Sequence, residues 1–98
     1  MKGLKDMQQD LLKVFKALSD DNRLEILKEI AKHDEICVCK LTETFTIAQS
    51  KLSYHLKLLL DAQIINVKPQ GKWNFYSINI EFLQKILSKE TLNFLKNE

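Results

Sequence analysis

The chain holds two cysteines, Cys37 and Cys39, two residues apart in the run EICVCKL. A C-x-C pair serves metal or redox chemistry more often than it serves as a staple, and thiolates select soft ions. The plainer alternative treats each cysteine as a small packed hydrophobe. Geometry restricts how the pair can act together. On a regular helix, residues two apart point roughly 200° away from each other, whereas on an extended segment they share a face. Both sulfurs therefore reach one ion only if the chain is extended here or the first turn of the next helix is unwound. His33, four residues before Cys37, offers a nitrogen ligand, although a histidine in a polar loop is ordinarily just solvated.

A second set of groups lies further along, in KLTETFTIAQSKLSYHLKLLLDAQII (residues 40–65). Gln49, Ser50, Ser53, Tyr54 and Lys57 share one helical face that carries no carboxylate. Its amides, hydroxyls, phenol and ammonium suit base edges and phosphates. The opposite face carries Leu52, Leu56 and Leu59 at helical spacing. His55, close to Leu58 and Leu59 on such a helix, reads as a packed, hydrogen-bonded histidine and not as a ligand.

Positioning these groups requires a supporting helix before the longer one. Val38, Leu41 and Phe45 supply its apolar stripe, so the pair reads as helix-turn-helix. Upstream, Leu4, Met7, Leu11, Leu12, Phe15 and Leu18 predict a first helix over 4–18. Ser19, Asp20, Asp21 and Asn22 then end it and cap a second helix, about 22–32, which buries Leu24, Leu27, Ile30 and Ala31. His33, Asp34 and Glu35 form a polar break. Downstream, Ile64 to Ile78 predicts a β-hairpin with Pro69, Gln70, Gly71 and Lys72 at its tip. Ile65 and Val67 alternate on one strand, and Trp73, Phe75 and Ser77 on the other. A last helix over 81–97 carries Leu83, Ile86, Leu87, Phe94 and Leu95. The expectation is a mainly α fold of about five helices with one hairpin wing, forming a single winged-helix domain over residues 1–98.

Composition agrees with one small soluble domain: 45% hydrophobic and 29% charged residues in 98. The net charge of +2 is too small to argue for nucleic acid alone. Its distribution is more telling, because residues 46–80 carry Lys51, Lys57, Lys68 and Lys72 against Asp61 alone. No apolar run approaches the roughly 18 residues that span a bilayer, and MKGLKDMQQD lacks the apolar core of a signal peptide. A cytoplasmic protein with reduced thiols and no membrane partner is the expectation.

FKALSDDNRLEIL (15–27), EICVCKL (35–41), AQSKLSYHLKLLLDAQII (48–65) and QGKWNFYSI (70–78), in this order, resemble the ArsR/SmtB metal-sensing repressors. The resemblance covers nearly the whole chain and implies a homodimer formed through the first and last helices. It also implies that Gln49, Ser50, Lys51, Ser53 and Tyr54 face the major groove, with Lys72 on the flanking backbone. The C-V-C run is similar to that of arsenite and antimonite sensors, and of cadmium and lead sensors that add cysteines from an N-terminal extension. Here the residues before the first helix carry no cysteine. Departures from the family pattern are Ala48 where Ser often caps the recognition helix, Gln63 where Gly commonly ends it, and Thr42 where some arsenite sensors have a third cysteine. Asn79, Glu81 and Gln84 occupy the region of the family's second metal site without a histidine, so no zinc-type site is expected there.

The reading is a DNA-binding repressor, not an enzyme. It has no permanent cofactor and is released from double-stranded operator DNA when arsenite, antimonite or another soft metal binds Cys37 and Cys39. The alternative is a thiol-redox or persulfide sensor using the same cysteines. A thiol enzyme is disfavoured because C-x-C lacks the C-x-x-C spacing and βαβ setting of thioredoxin-like proteins. A protein-binding winged helix would want an apolar or aromatic anchor on the outer face, where Tyr54 is the sole candidate.

Overall fold

The computed structural model describes residues 3–97. Helix α1 (Leu4–Leu18) is followed by α2 (Asp21–Ala31), strand β1 (Ile36–Cys37), α3 (Val38–Thr44), α4 (Gln49–Asp61), β2 (Ile65–Gln70), β3 (Trp73–Ile78), α5 (Ile80–Leu83) and α6 (Lys89–Asn97). This is a winged helix-turn-helix. Among the described residues, six helices and a three-stranded sheet replace the expected five helices and hairpin.

Asp20 starts α2 by accepting the Arg23 backbone N–H at 3.0 Å, the capping expected of an Asp in that position. Buried side chains of α2 are Arg23, Ile26, Leu27 and Ile30. Leu24 and Ala31, expected inside, are only partly covered, because the face is turned to meet β3, α4 and α6 together. On α4 the expected stripe holds: Leu52, Leu56 and Leu59 are buried, as is Leu41 of α3 beneath them. On α1 the core takes Val14 and Ala17, while Leu4, Met7, Leu11, Leu12 and Phe15 stand exposed.

Three features of the sheet go beyond the expected hairpin. First, β1 pairs antiparallel with β3, giving the order β1-β3-β2; two residues between a polar break and a helix carry no period-two pattern that would announce a strand. Second, the hairpin is tighter than expected. Gln70 faces Trp73, so Gly71 and Lys72 alone form the turn, with Gly71 at φ +64° in the role glycine takes at the first central position of type II′ turns. Pro69 sits in the edge strand, where its missing N–H costs no ladder bond. Third, the register places Ile65, Val67, Tyr76 and Ile78 on one face, which is covered at Ile65 and Tyr76 and runs out of the core at Val67, 40% exposed. Tyr76 is buried, while Trp73 and Phe75 face the other way and Trp73 is 49% exposed.

The predicted last helix is two helices. After Leu83 the chain tightens through Lys85 N–H to Phe82 O and Ile86 N–H to Leu83 O, and Ser88 Oγ then accepts the Thr91 N–H at 3.1 Å to start α6 afresh. Both pieces reach the core, α5 through Leu83 and α6 through Leu92 and Leu95.

Helix α4 starts at Ala48 without a side-chain cap. It ends in a Schellman arrangement, with Ile64 N–H donating to Leu59 O and Gln63 N–H to Leu60 O. Gln63 carries this turn at φ +66°, a left-handed conformation that costs an L-residue about 1–2 kcal/mol. Part of that cost would be offset in glycine by its greater freedom in the unfolded chain. Gln63→Gly is therefore expected to stabilise the fold by about 0.5–1 kcal/mol. Urea denaturation checks this, and a destabilisation would mean that the Gln63 Nε2 bond to Asp10 outweighs the backbone strain.

Candidate functional site

Cys37 is both the last residue of β1 and the N-cap of α3, with extended dihedrals of φ −67°, ψ 142°; Cys39 is the second residue of the helix. The Cys37 Sγ accepts the Cys39 backbone N–H at 3.1 Å, standing in for the hydroxyl or carboxylate that usually caps a helix. The strand-to-helix junction brings the Cα atoms to 5.1 Å, and the two sulfurs are joined in a disulfide. Free thiols were the expectation. The pairing follows from the backbone: an extended residue entering a first helical turn aims both side chains to one side, which a regular helix would not do.

The pair lies beside an open cavity of about 600 Å³ whose walls include Ile36, Cys37, Cys39, Trp73 and Phe75. Glu29, His33, Glu35, Lys40 and Thr44 line it as well. His33 Nε2 is 3.3 Å from Glu29 Oε2, and Gln70 Nε2 donates to Glu35 Oε1 at 3.0 Å, tying the loop before β1 to the wing. Thr42 Oγ1 donates to Val38 O at 2.9 Å, so the residue at the third-cysteine position is bonded to its own helix. Among the described residues no group of three His, Cys, Asp or Glu is placed to hold a metal ion. The donor set available to a ligand is two sulfurs. Soft donors of this kind fit a thiophilic ion, and they do so as the dithiol, because a disulfide offers no thiolate.

In the region of the expected-empty second site, Asn79 has structural work. Its Oδ1 accepts the Phe82 N–H at 3.3 Å and its Nδ2 donates to Gln63 O at 2.9 Å.

The outer face of α4 is open. Gln49, Ser50, Lys51, Ser53, Tyr54 and Lys57 are all exposed, as is Lys72 at the wing tip. The face is held from behind by a contact that sequence reasoning missed. Arg23, buried at 8% exposure, donates through Nε to Ala17 O at 2.6 Å and through Nη2 to Lys16 O at 3.3 Å. Its Nη1 lies 3.2 Å from His55 Nδ1. An arginine only donates, so Nδ1 accepts and the neutral ring carries its proton on Nε2. His55 is thus a packed, bonded histidine that ties α4 to α2 and the end of α1.

Burial lowers the His55 pKa from its ordinary 6.5, with Arg23 and Lys51 adding to the effect and Asp20 opposing it. The unfolded chain therefore binds the proton more readily than the folded one, and stability rises with pH in this range. The contribution is whole above about pH 6.5 and declines as pH falls from there through the lowered folded-state value. Urea midpoints at pH 7.5 and 5.5 should differ in this sense, and His55→Gln should shrink the difference. An unchanged difference in that variant would assign the pH effect to other groups.

The model of the bacterial regulatory protein arsR family matches residues 20–67. An arsenical resistance operon repressor of Bacillus subtilis is 51% identical over 76 residues, covering 78% of this chain and 72% of that protein. The chain belongs to the ArsR family. Its fold is that of other ArsR-like regulators. One from Rhodococcus sp. RHA1 superposes with a TM-score of 0.74 at 24% identity, covering 92% of this chain and 82% of that one. A homodimeric winged helix-turn-helix DNA-binding domain from Mycobacterium bovis, described as a possible ArsR-family regulator, superposes with a TM-score of 0.70 at 21% identity, covering 92% and 88%. This ArsR-family chain is accordingly a transcriptional regulator and not an enzyme. No described helix is long and apolar enough to cross a membrane.

Proposed function

We propose that this chain is a cytoplasmic homodimeric repressor that leaves its operator DNA when a thiophilic metalloid or metal, arsenite or antimonite in particular, is bound by Cys37 and Cys39. The observation that carries this reading is the meeting of both sulfurs at the β1–α3 junction. That junction touches both DNA-contacting elements. Cys39 lies in the helix that supports α4, and Cys37 pairs with Phe75 on the strand that leads out of the wing turn. Changing what the sulfurs are bonded to alters the start of α3 and the seat of β3 together. A relative described as an arsenical resistance repressor supports the choice of inducer.

The exposed apolar side chains Leu4, Met7, Leu11 and Phe15 of α1 and Phe94 of α6 offer surface on the first and last helices that a second copy would cover. Two copies place two α4 helices against half-sites about one helical turn, or a multiple of it, apart.

In this reading Gln49, Ser50, Lys51, Ser53, Tyr54 and Lys57 meet the major groove, and Lys72 meets the backbone. Gln49→Ala is expected to relax preference at one base position by about 1–3 kcal/mol. Lys72→Ala should weaken all sequences alike and reduce the salt slope by about 1. Competition binding with systematically substituted operators separates the two. The same sequence-independent loss in both variants would overturn the division of roles.

A further inference from the structure

Trivalent arsenic makes three bonds, and the site offers two sulfurs. No third ligating group stands with them among the described residues, and Thr42 and His33 are engaged elsewhere. Beside the sulfurs the cavity offers an apolar wall of Ile36, Trp73 and Phe75 along with the polar Glu29, His33, Glu35, Lys40 and Thr44. Cys37 pairs with Phe75 across the sheet, so their side chains share a face, and Trp73, two residues along the same strand, shares it too. Ile36, Trp73 and Phe75 line the cavity with both cysteines. Trp73 is 49% exposed, a large aromatic side chain left half uncovered beside the two sulfurs.

Resting on the proposed role of the cysteine pair, we infer that the preferred inducer is a monosubstituted arsenic(III) compound, R–As(OH)₂, whose organic group R lies against Trp73 and Phe75. Such a compound already has its third bond, to carbon, and needs two sulfurs and no more. Inorganic arsenite would instead leave a hydroxide beside the aromatic wall. The exchange starts from the dithiol. Each cysteine thiol passes its proton to one hydroxide of R–As(OH)₂, two S–As bonds form, two As–O bonds break and two waters leave. Arsenic stays trivalent and the R–As bond is kept, so the exchange itself needs no oxidant or reductant; the dithiol it starts from forms when two equivalents of a small thiol reduce the Cys37–Cys39 disulfide and leave as their own disulfide. Contact of R with β3 also reaches the strand that follows the wing turn, which couples occupancy to the DNA face.

The test uses full-length protein reduced with a phosphine and then freed of it, bound to labelled DNA from upstream of its own gene. Release is titrated with phenylarsine oxide and with sodium arsenite, in the wild type, Trp73→Ala and Trp73→Phe. Phenylarsine oxide should act at lower concentration than arsenite in the wild type. Trp73→Ala should cut that preference by about three- to tenfold, with Trp73→Phe retaining part of it. The ratio of the two inducers within each variant cancels any effect of Trp73 on DNA affinity. Protection of the thiols from a chromogenic disulfide reagent gives the same ratio without DNA. Trp73 is the one tryptophan of the chain, so its fluorescence should respond to phenylarsine oxide and much less to arsenite. Equal potency in the wild type, or a preference unmoved by Trp73→Ala, would overturn the inference while leaving the cysteine site standing. Failure of both compounds to release DNA or protect the thiols would remove the proposed function along with it.

Discussion

Cys37→Ser should leave DNA binding nearly intact and abolish release by arsenite or antimonite. Serine is a good helix N-cap, so its hydroxyl can accept the Cys39 N–H that the sulfur now accepts at 3.1 Å, and α3 keeps its start. What the variant loses is a soft anionic donor, because a hydroxyl is not deprotonated near neutral pH and binds soft ions poorly. One thiolate cannot bridge strand and helix, so the coupling disappears even if an ion still attaches to Cys39. Couplings of about 1–3 kcal/mol change operator affinity roughly 5- to 150-fold, and that factor should collapse to about one. Cys39→Ser should behave alike. Cys37→Ala should add a loss of about 1 kcal/mol in stability from the missing cap. Retained release in both serine variants would show that the signal enters elsewhere. If wild-type protein ignored arsenite and antimonite but left DNA on oxidation, the same two residues would be a redox switch instead.

The largest stability effect is expected at Arg23. Arg23→Ala removes the donors to Ala17 O, Lys16 O and His55 Nδ1 and leaves a void where a buried stem and guanidinium stood. Charged hydrogen bonds contribute about 1.5–3 kcal/mol, and a buried acceptor left unpaired costs about 1–3 kcal/mol. Water can reach the void and satisfy some of these groups, so the net loss should be about 2–4 kcal/mol. For a chain of 98 residues this is a fall in melting midpoint of about 10–20 °C. Arg23→Lys should recover little, since one ammonium cannot reach three acceptors on two sides. Because His55 lies on α4, the variant should also bind DNA more weakly at temperatures where it remains folded. Urea denaturation at fixed protein concentration gives the energy, and a loss below about 1 kcal/mol would mean that solvent replaces the guanidinium at little cost.

Arg23 also marks where reading the sequence stops. Next to three other polar residues at a helix start, an arginine looks solvated, and nothing local announces that its fork closes on α1 and α4. The same holds for β1. Its two residues, Ile36 and Cys37, have no period of their own and become a strand because β3 is there to pair with. Which side of β3 turns inward is likewise decided by register with β2, which sends Tyr76 and Ile78 inward while the more conspicuous Trp73 and Phe75 face the other way. The break between α5 and α6 does have a local signal, the Ser88–Thr91 cap, hidden by apolar spacing that runs across it.

By itself the sequence determined the winged helix-turn-helix, the buried leucines of α4, the uncapped start at Ala48 and the polar outer face of α4 with its lysine-bearing wing tip. These are settled by period, capping chemistry and charge, all of which act within a few residues. It also determined that Cys37 and Cys39 could act together only on a backbone that is not regular helix. Tertiary structure alone decided that this condition is met, by drawing Cys37 into a sheet with β3 while Cys39 stays in α3. It alone placed an aromatic wall beside the sulfurs and a buried arginine behind α4. Such contacts depend on strand register and on which helix faces which, and pairings between residues far apart in the chain leave no pattern in either partner's neighbourhood.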